Sequence, residues 1–138
     1  MEHIFVDADV CLDLLSERMP FYKWSAILFS KAETKQVKVY ASSLTFAFLH
    51  YQLNRRMGDH ASRQLLSRFK TLVTVLEVND KIIELALVSD FEDFEDAIQY
   101  YTAIEGKIKL ILTRNLKDFK KAVIRVTTPE DYLKALAI

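Results

Sequence analysis

The sequence predicts a single three-layer α/β/α domain, residues 1–138, built on a central, mainly parallel five-stranded sheet. Three observations carry that expectation. Short apolar runs alternate with helical stretches along the whole chain, the order expected of parallel strands joined by crossover helices. The runs are mostly apolar throughout, as strands covered on both faces are. And 138 residues, 51% of them hydrophobic, can bury one core but are too few for two domains.

Each element has its own signal. His3-Ile4-Phe5-Val6 is a short apolar run that stops at Asp7 and reads as the first strand. Val10, Cys11, Leu12, Leu14 and Leu15 follow at helical spacing. Pro20 suits a first helical turn, and Phe21, Trp24, Ile27, Leu28 and Ala32 mark one face of the helix after it. Val37 to Tyr40 is the second strand. Ser42 or Ser43 caps the next helix, which runs to about Met57 and ends at Gly58. Asp59 suits the cap of another, with Leu65, Leu66 and Phe69 inward. Leu72 to Leu76 is the third strand, and Asn79 or Asp80 caps the helix after it. Asp90 is expected to open a further helix, with Asp93 completing a box-like pair and Asp96 beyond the capping turn. Lys109 to Thr113 and Val123 to Val126 are the last two strands. Thr128-Pro129-Glu130 opens the final helix with a cap, a proline at the first position and an early acid.

Composition removes several function classes. Lys plus Arg and Asp plus Glu both number 19, so binding nucleic acid through bulk positive charge is excluded and only a local basic patch can do it. Two glycines cannot build a dinucleotide loop or a P-loop. One cysteine and three histidines do not make a structural zinc site, and Cys11 alone forms no disulfide, which fits a cytoplasmic protein. No signal peptide or membrane span is expected. A receiver or phosphatase of the Asp-x-Asp kind is weakly supported: no aspartate closes the third strand, and Cys11 follows Val10 where such phosphatases want threonine.

The neutral total hides an uneven distribution. Asp80 to Glu105 holds eight acids and one base; Lys107 to Arg125 holds seven bases and one acid. Two solvated faces would explain this. A carboxylate cluster that holds cations beside a basic rim that holds phosphates would explain it as well. In an open parallel sheet ligands gather at the carboxyl ends of strands, where Asp7 and Asp9 follow the first strand and Asn115 and Asp118 the fourth. Asp93 and Asp96 share a helical face just before that fourth strand. Carboxylates meeting there need a counter-charge, and a hard divalent cation with oxygen ligands supplies it.

These residues resemble the motifs of PIN domains. Phe5-Val6-Asp7-Ala8-Asp9-Val10-Cys11-Leu12-Asp13-Leu14-Leu15 is similar to the family's opening, and Ser42-Ser43-Leu44-Thr45 to the start of its next helix block. Asp90 to Tyr100 is similar to its third motif, and Ile111-Leu112-Thr113-Arg114-Asn115-Leu116-Lys117-Asp118-Phe119 to its fourth. The resemblance spans essentially the whole chain and implies a Mg²⁺- or Mn²⁺-dependent ribonuclease, the toxin of a toxin–antitoxin pair, hydrolysing RNA with metal-activated water. It implies Asp7 and Asp96 as catalytic metal ligands, with Asp93, Asn115 and Asp118 completing the metal site. Asp9, Thr113, Arg114 and Lys117 are implied contacts to RNA, Arg114 facing phosphate. An antitoxin and a second copy of the chain are the implied partners. Two positions depart from the pattern: Phe48 stands where the second-motif glutamate is expected, and Asn115 replaces the fourth acid. With fewer charges, the alternative is a degenerate PIN fold that binds RNA or protein without cutting.

Overall fold

A computed structural model of the chain describes residues 1–137. Strand β1 (Glu2–Val6) lies at the centre of a five-stranded sheet of order β3-β2-β1-β4-β5, where β2 is Val37–Ser42, β3 Thr74–Leu76, β4 Leu110–Leu112 and β5 Arg125–Thr127. Every pairing in it is parallel. Helices α1 (Ala8–Leu15) and α2 (Tyr22–Glu33) connect β1 to β2. Helices α3 (Ser43–Met57) and α4 (Asp59–Lys70) connect β2 to β3, and α5 (Asp80–Leu87) and α6 (Phe94–Glu105) connect β3 to β4. A 3₁₀ helix, Leu116–Phe119, precedes β5, and α7 (Pro129–Leu136) follows it.

Side-chain alternation along the strands explains the three layers. Ile4 and Val6 of β1, Val37, Val39 and Ala41 of β2, and Leu110 and Leu112 of β4 share one core with residues of α1, α2, α3, α4 and α7. Phe5, Tyr40 and Ile111, the residues between them, share a second core with α6. A third cluster joins α5 to α6 through Ile82, Ala86, Ala97 and Ile98. Both faces of the sheet are therefore covered, five helices on one and two on the other, and the near-continuous apolar runs follow from that. Among the described residues no helix is long and apolar enough to cross a membrane.

Several boundaries differ from the sequence expectation. Leu72 and Val73 lie in the turn before β3, and Val123, 86% exposed, lies before β5. Pro20 sits in the turn ahead of α2, which begins at Tyr22. Asp59 occupies the first turn of α4 and Gly58 the capping position. The largest shift is at α6. Asp90 does not open it; Asp93 is the cap, accepting from the Asp96 N–H at 2.9 Å. Phe91 is held outside the helix, its ring 5.0 Å from that of Tyr100 and 6.1 Å from that of Phe119. Packing of that ring on the sheet side competes with continuing the helix back to Asp90, and packing prevails.

Strand order reverses between β1 and β4: the chain builds β2 and β3 outward on one side, then returns to build β4 and β5 on the other. The crevice beyond the carboxyl ends of these two strands is where an open α/β sheet binds ligands.

Gly58 joins α3 to α4 at φ 84°, ψ 168°, a conformation available almost only to glycine. Its N–H donates to the Asn54 carbonyl and its own carbonyl accepts from Ser62 N–H, both at 3.1 Å. An added Cβ would meet no atom within 4 Å, so the cost of Gly58→Ala is the backbone alone. Chemical denaturation should read a loss of about 1–3 kcal/mol.

Candidate metal centre at the sheet switch point

Asp7 ends β1 and caps α1. Its backbone N–H donates to the Leu112 carbonyl of β4 at 2.9 Å, which fixes it between the two strands. One carboxylate oxygen, Oδ1, accepts from the Ala8 N–H at 2.8 Å. The other, Oδ2, accepts from the Thr113 hydroxyl at 2.8 Å. Thr113 is fully buried, and its Oγ1 also accepts from the Asn115 N–H at 3.1 Å. Asp9, in the first turn of α1, accepts from the Arg114 N–H at 3.0 Å. The residues just after β4 thus orient both acids that follow β1.

From the other layer, α6 brings Asp96 and Gln99, with Asp93 at its cap. Asp7, Asp9, Asp93, Asp96, Gln99, Asn115 and Asp118 line one cavity of about 190 Å³. Leu44 and Phe48 of α3 supply an apolar wall to it. Phe48 therefore faces the acids from the helix where a glutamate is expected. Asp96 is buried at 8% exposure and lies in the first turn of its helix, not beyond it.

Two RNA-contact expectations take a different form in the structure. Arg114 does not line this cavity. Its guanidinium is bound in bidentate fashion by Asp13, Nε to Oδ2 at 2.6 Å and Nη2 to Oδ1 at 3.1 Å, and lies 3.8 Å over the Phe21 ring. Only its backbone N–H serves the acids. Thr113 is beneath the cavity, not on its rim. Lys117 is exposed on the 3₁₀ helix, beside Lys120, Lys121 and Asp118.

Gln99, which no charge marks in the sequence, also lines the cavity. The signal available was spacing: Asp93, Asp96 and Gln99 recur every third residue. Gln99 Nε2 donates to Thr45 Oγ1 at 2.9 Å, leaving its carbonyl oxygen buried without a partner. Asp9 Oδ1 is the other such atom in this cavity.

Convergence raises proton affinity. Burial, then the charge of Asp9, pushes the Asp7 carboxyl up to about 7, against the opposing hydrogen bonds from Thr113 and Ala8. Burial, then Asp7, Asp93 and Asp118, pushes Asp96 up to about 8. Asp9 is also raised by burial, with Arg114 opposing. Burial together with mutual repulsion is the environment in which a cation would be favoured.

The donor set fits a hard divalent ion: it is all oxygen, crowded with carboxylates, and holds two oxygens that nothing in the protein satisfies. Among the described residues no group of three or more His, Cys, Asp or Glu side chains is already arranged to hold a metal. Mg²⁺ characteristically binds through one or two carboxylates and keeps several waters, so a preformed cage is not what it requires.

The raised values set the pH dependence of the metal-free protein. Between the unfolded carboxyl value of about 4 and the folded values near 7 and 8, the native state holds protons that the unfolded state has lost. Stability from these groups therefore falls as pH rises through that window. Asp96→Asn, in chelator, should raise the melting midpoint at pH 8.5 and change it little at pH 4.

The PIN domain family matches residues 3–117. Ribonuclease VapC1 of Aquifex aeolicus (strain VF5) is 30% identical over 139 residues, covering 95% of this chain and 93% of that one. The Mycobacterium tuberculosis VapC20 toxin, described as cleaving the sarcin-ricin loop, superposes with TM-score 0.63 at 24% identity, over 78% of this chain and 86% of that one. A toxin–antitoxin complex from Klebsiella pneumoniae gives 0.67 at 22% identity, over 91% and 97%. With the parallel sheet, the switch-point acids and these relatives together, the chain is a member of the PIN-domain family.

Proposed function

We propose that the protein is a Mg²⁺- or Mn²⁺-dependent endoribonuclease and the toxin of a toxin–antitoxin pair working in the cytoplasm. The observation that carries this is the single cavity into which Asp7, Asp96, Asp93 and Asp118 converge, with the Asp7 and Asp96 carboxyls raised by burial and by their neighbours' charge. The 30% identical relative named a ribonuclease supports the substrate class, and the likeness to proteins solved as toxin–antitoxin complexes supports an antitoxin partner.

A divalent cation held here would neutralise phosphate charge and activate the attacking water. Asp7 and Asp96 are its proposed direct ligands, with Asp93, Asn115 and Asp118 around them. Thr113 and the Ala8 N–H fix both oxygens of Asp7, so its orientation is set before any ion arrives. Asp96, raised by burial and then by the charges of Asp7, Asp93 and Asp118, would give up its proton on binding a cation. Asn115 contributes a neutral amide oxygen where the family pattern has an acid, and Phe48 contributes none. Lys117, exposed on the 3₁₀ helix next to Asp118, is the proposed contact to the RNA backbone, and the half-buried Leu44 and Phe48 give the cavity an apolar wall on one side.

Those two missing charges also favour the second reading, a fold that binds RNA or protein without cutting. Metal and RNA separate the two. Mn²⁺ at millimolar concentration should raise the melting midpoint of the wild type, and Asp7→Asn should remove most of the rise. Single-stranded RNA should be cleaved by the wild type in Mn²⁺, and Asp96→Asn should be slower by at least about a hundredfold. No metal response and no cleavage would leave the binding module.

A further inference from the structure

A second cavity, of about 240 Å³, lies one turn further along α1 from the acidic one, lined by Asp13 where that one is lined by Asp9. We propose that it binds one unpaired nucleobase of the RNA, next to the phosphate that is cut. The identity of the polymer rests on the nuclease reading above; the cavity's chemistry stands by itself.

Position comes first. Asp9 lines the acidic cavity and Asp13 lines this one. They are four residues apart on α1, about 6 Å along its axis. Arg114 spans the same interval, its backbone N–H on Asp9 and its guanidinium on Asp13. A strand with a phosphate at the acids therefore has a neighbouring nucleoside within reach of the second cavity.

The walls suit a base. Phe21, 38% exposed, and the half-buried Trp24 supply aromatic faces. The Arg114 guanidinium, clamped by Asp13 and stacked on Phe21, is a rigid cationic plane. Unpaired bases stack on aromatic rings and on guanidinium planes. Two groups remain to meet a base edge. Arg114 Nη1 donates to nothing among the described residues. Glu130, at the start of α7, has Oε2 bound to Lys134 at 2.6 Å and Oε1 left as an acceptor. The floor is the buried Ser25, whose hydroxyl is already donated to the Val10 carbonyl at 3.1 Å. The volume is below the roughly 300–1,000 Å³ of sites that enclose a drug-sized ligand, as a single ring system requires. Two further cations lie against lining residues: Lys23 Nζ is 4.7 Å from the Trp24 ring centroid, and Arg18 is 3.9 Å from Asp13. That charge matches a polyanion threading past, where an apolar peptide would find none of it useful.

Trp24 is the sole tryptophan of the chain, so its emission reports on this cavity alone. Each of the four nucleoside 5′-monophosphates is titrated in chelator, against free tryptophan amide as the optical control. Saturable quenching is expected in the wild type and, unchanged, in Asp96→Asn. Phe21→Ala should raise the half-saturating concentration at least about fivefold, the lower end of what one stacking face contributes. Glu130→Gln, an exposed change, should alter the order of preference among the four nucleotides. In Mn²⁺, Phe21→Ala should lose base preference beside the cut while its metal-induced thermal shift stays at the wild-type value. Emission that ignores all four nucleotides, or quenching equal in wild type and Phe21→Ala, overturns the proposal and leaves the cavity to a protein side chain. Cleavage without quenching removes the base site alone; quenching without cleavage removes the nuclease reading alone.

Discussion

Everything at the switch point depends on a repulsion that the fold holds in place. Two layers of the protein, β1 with α1 and α6 with its cap, direct acids at the same small volume. Left unopposed, those charges would push the layers apart. The opposition is specific: Asp7 receives a backbone N–H and a buried hydroxyl, Asp9 receives the Arg114 N–H, and Asp93 receives the Asp96 N–H. Burial and that repulsion raise the Asp7 and Asp96 carboxyls, so each holds its proton more tightly than a free carboxyl does. The metal-free fold thus carries an electrostatic cost at this point, a common compromise between stability and activity.

Arg114 shows how one residue ties the site to the scaffold. Its backbone belongs to the turn after β4, its guanidinium to Asp13 of α1, and its plane to Phe21 ahead of α2. Asp13 is 1% exposed, and its charge is met by this bidentate pair and, more distantly, by Arg18. Buried pairs of this kind specify geometry more reliably than they add stability. Here the geometry specified is the distance between the acidic cavity and its aromatic neighbour.

Strand positions, the parallel sheet and most caps were legible because they are local. Ser42, Asn79 and Thr128 each have a helix-starting side chain where the apolar period begins, and each accepts the expected N–H. Asp90 and Asp93 defeated the same logic. Both are aspartates three residues ahead of another aspartate, and local rules do not separate them. The tie is broken by Phe91 docking on Tyr100 and Phe119, a contact made only in three dimensions. Asp7, Asp9 and Asp118 were legible from their places after strands, and Asp93 and Asp96 from their helical spacing; Glu95, which also lines the cavity, was not. The destination of the Arg114 side chain was not, because its partner lies 101 residues away. Gln99 escaped because an amide carries no charge and its role arises from a buried oxygen left over after Thr45 is satisfied.

The hydrogen bond from Thr113 to Asp7 joins residues 106 apart, and β4 pairs with the first strand of the chain. During synthesis, β1, β2 and β3 can assemble while the central strand still has one bare edge. The acids after β1 acquire their orientation only when residues 110–114 leave the ribosome and close that edge. Before that closure Asp7 lacks its Thr113 hydroxyl and Asp9 its Arg114 N–H, so the two acids are oriented last, by contacts from late in the chain.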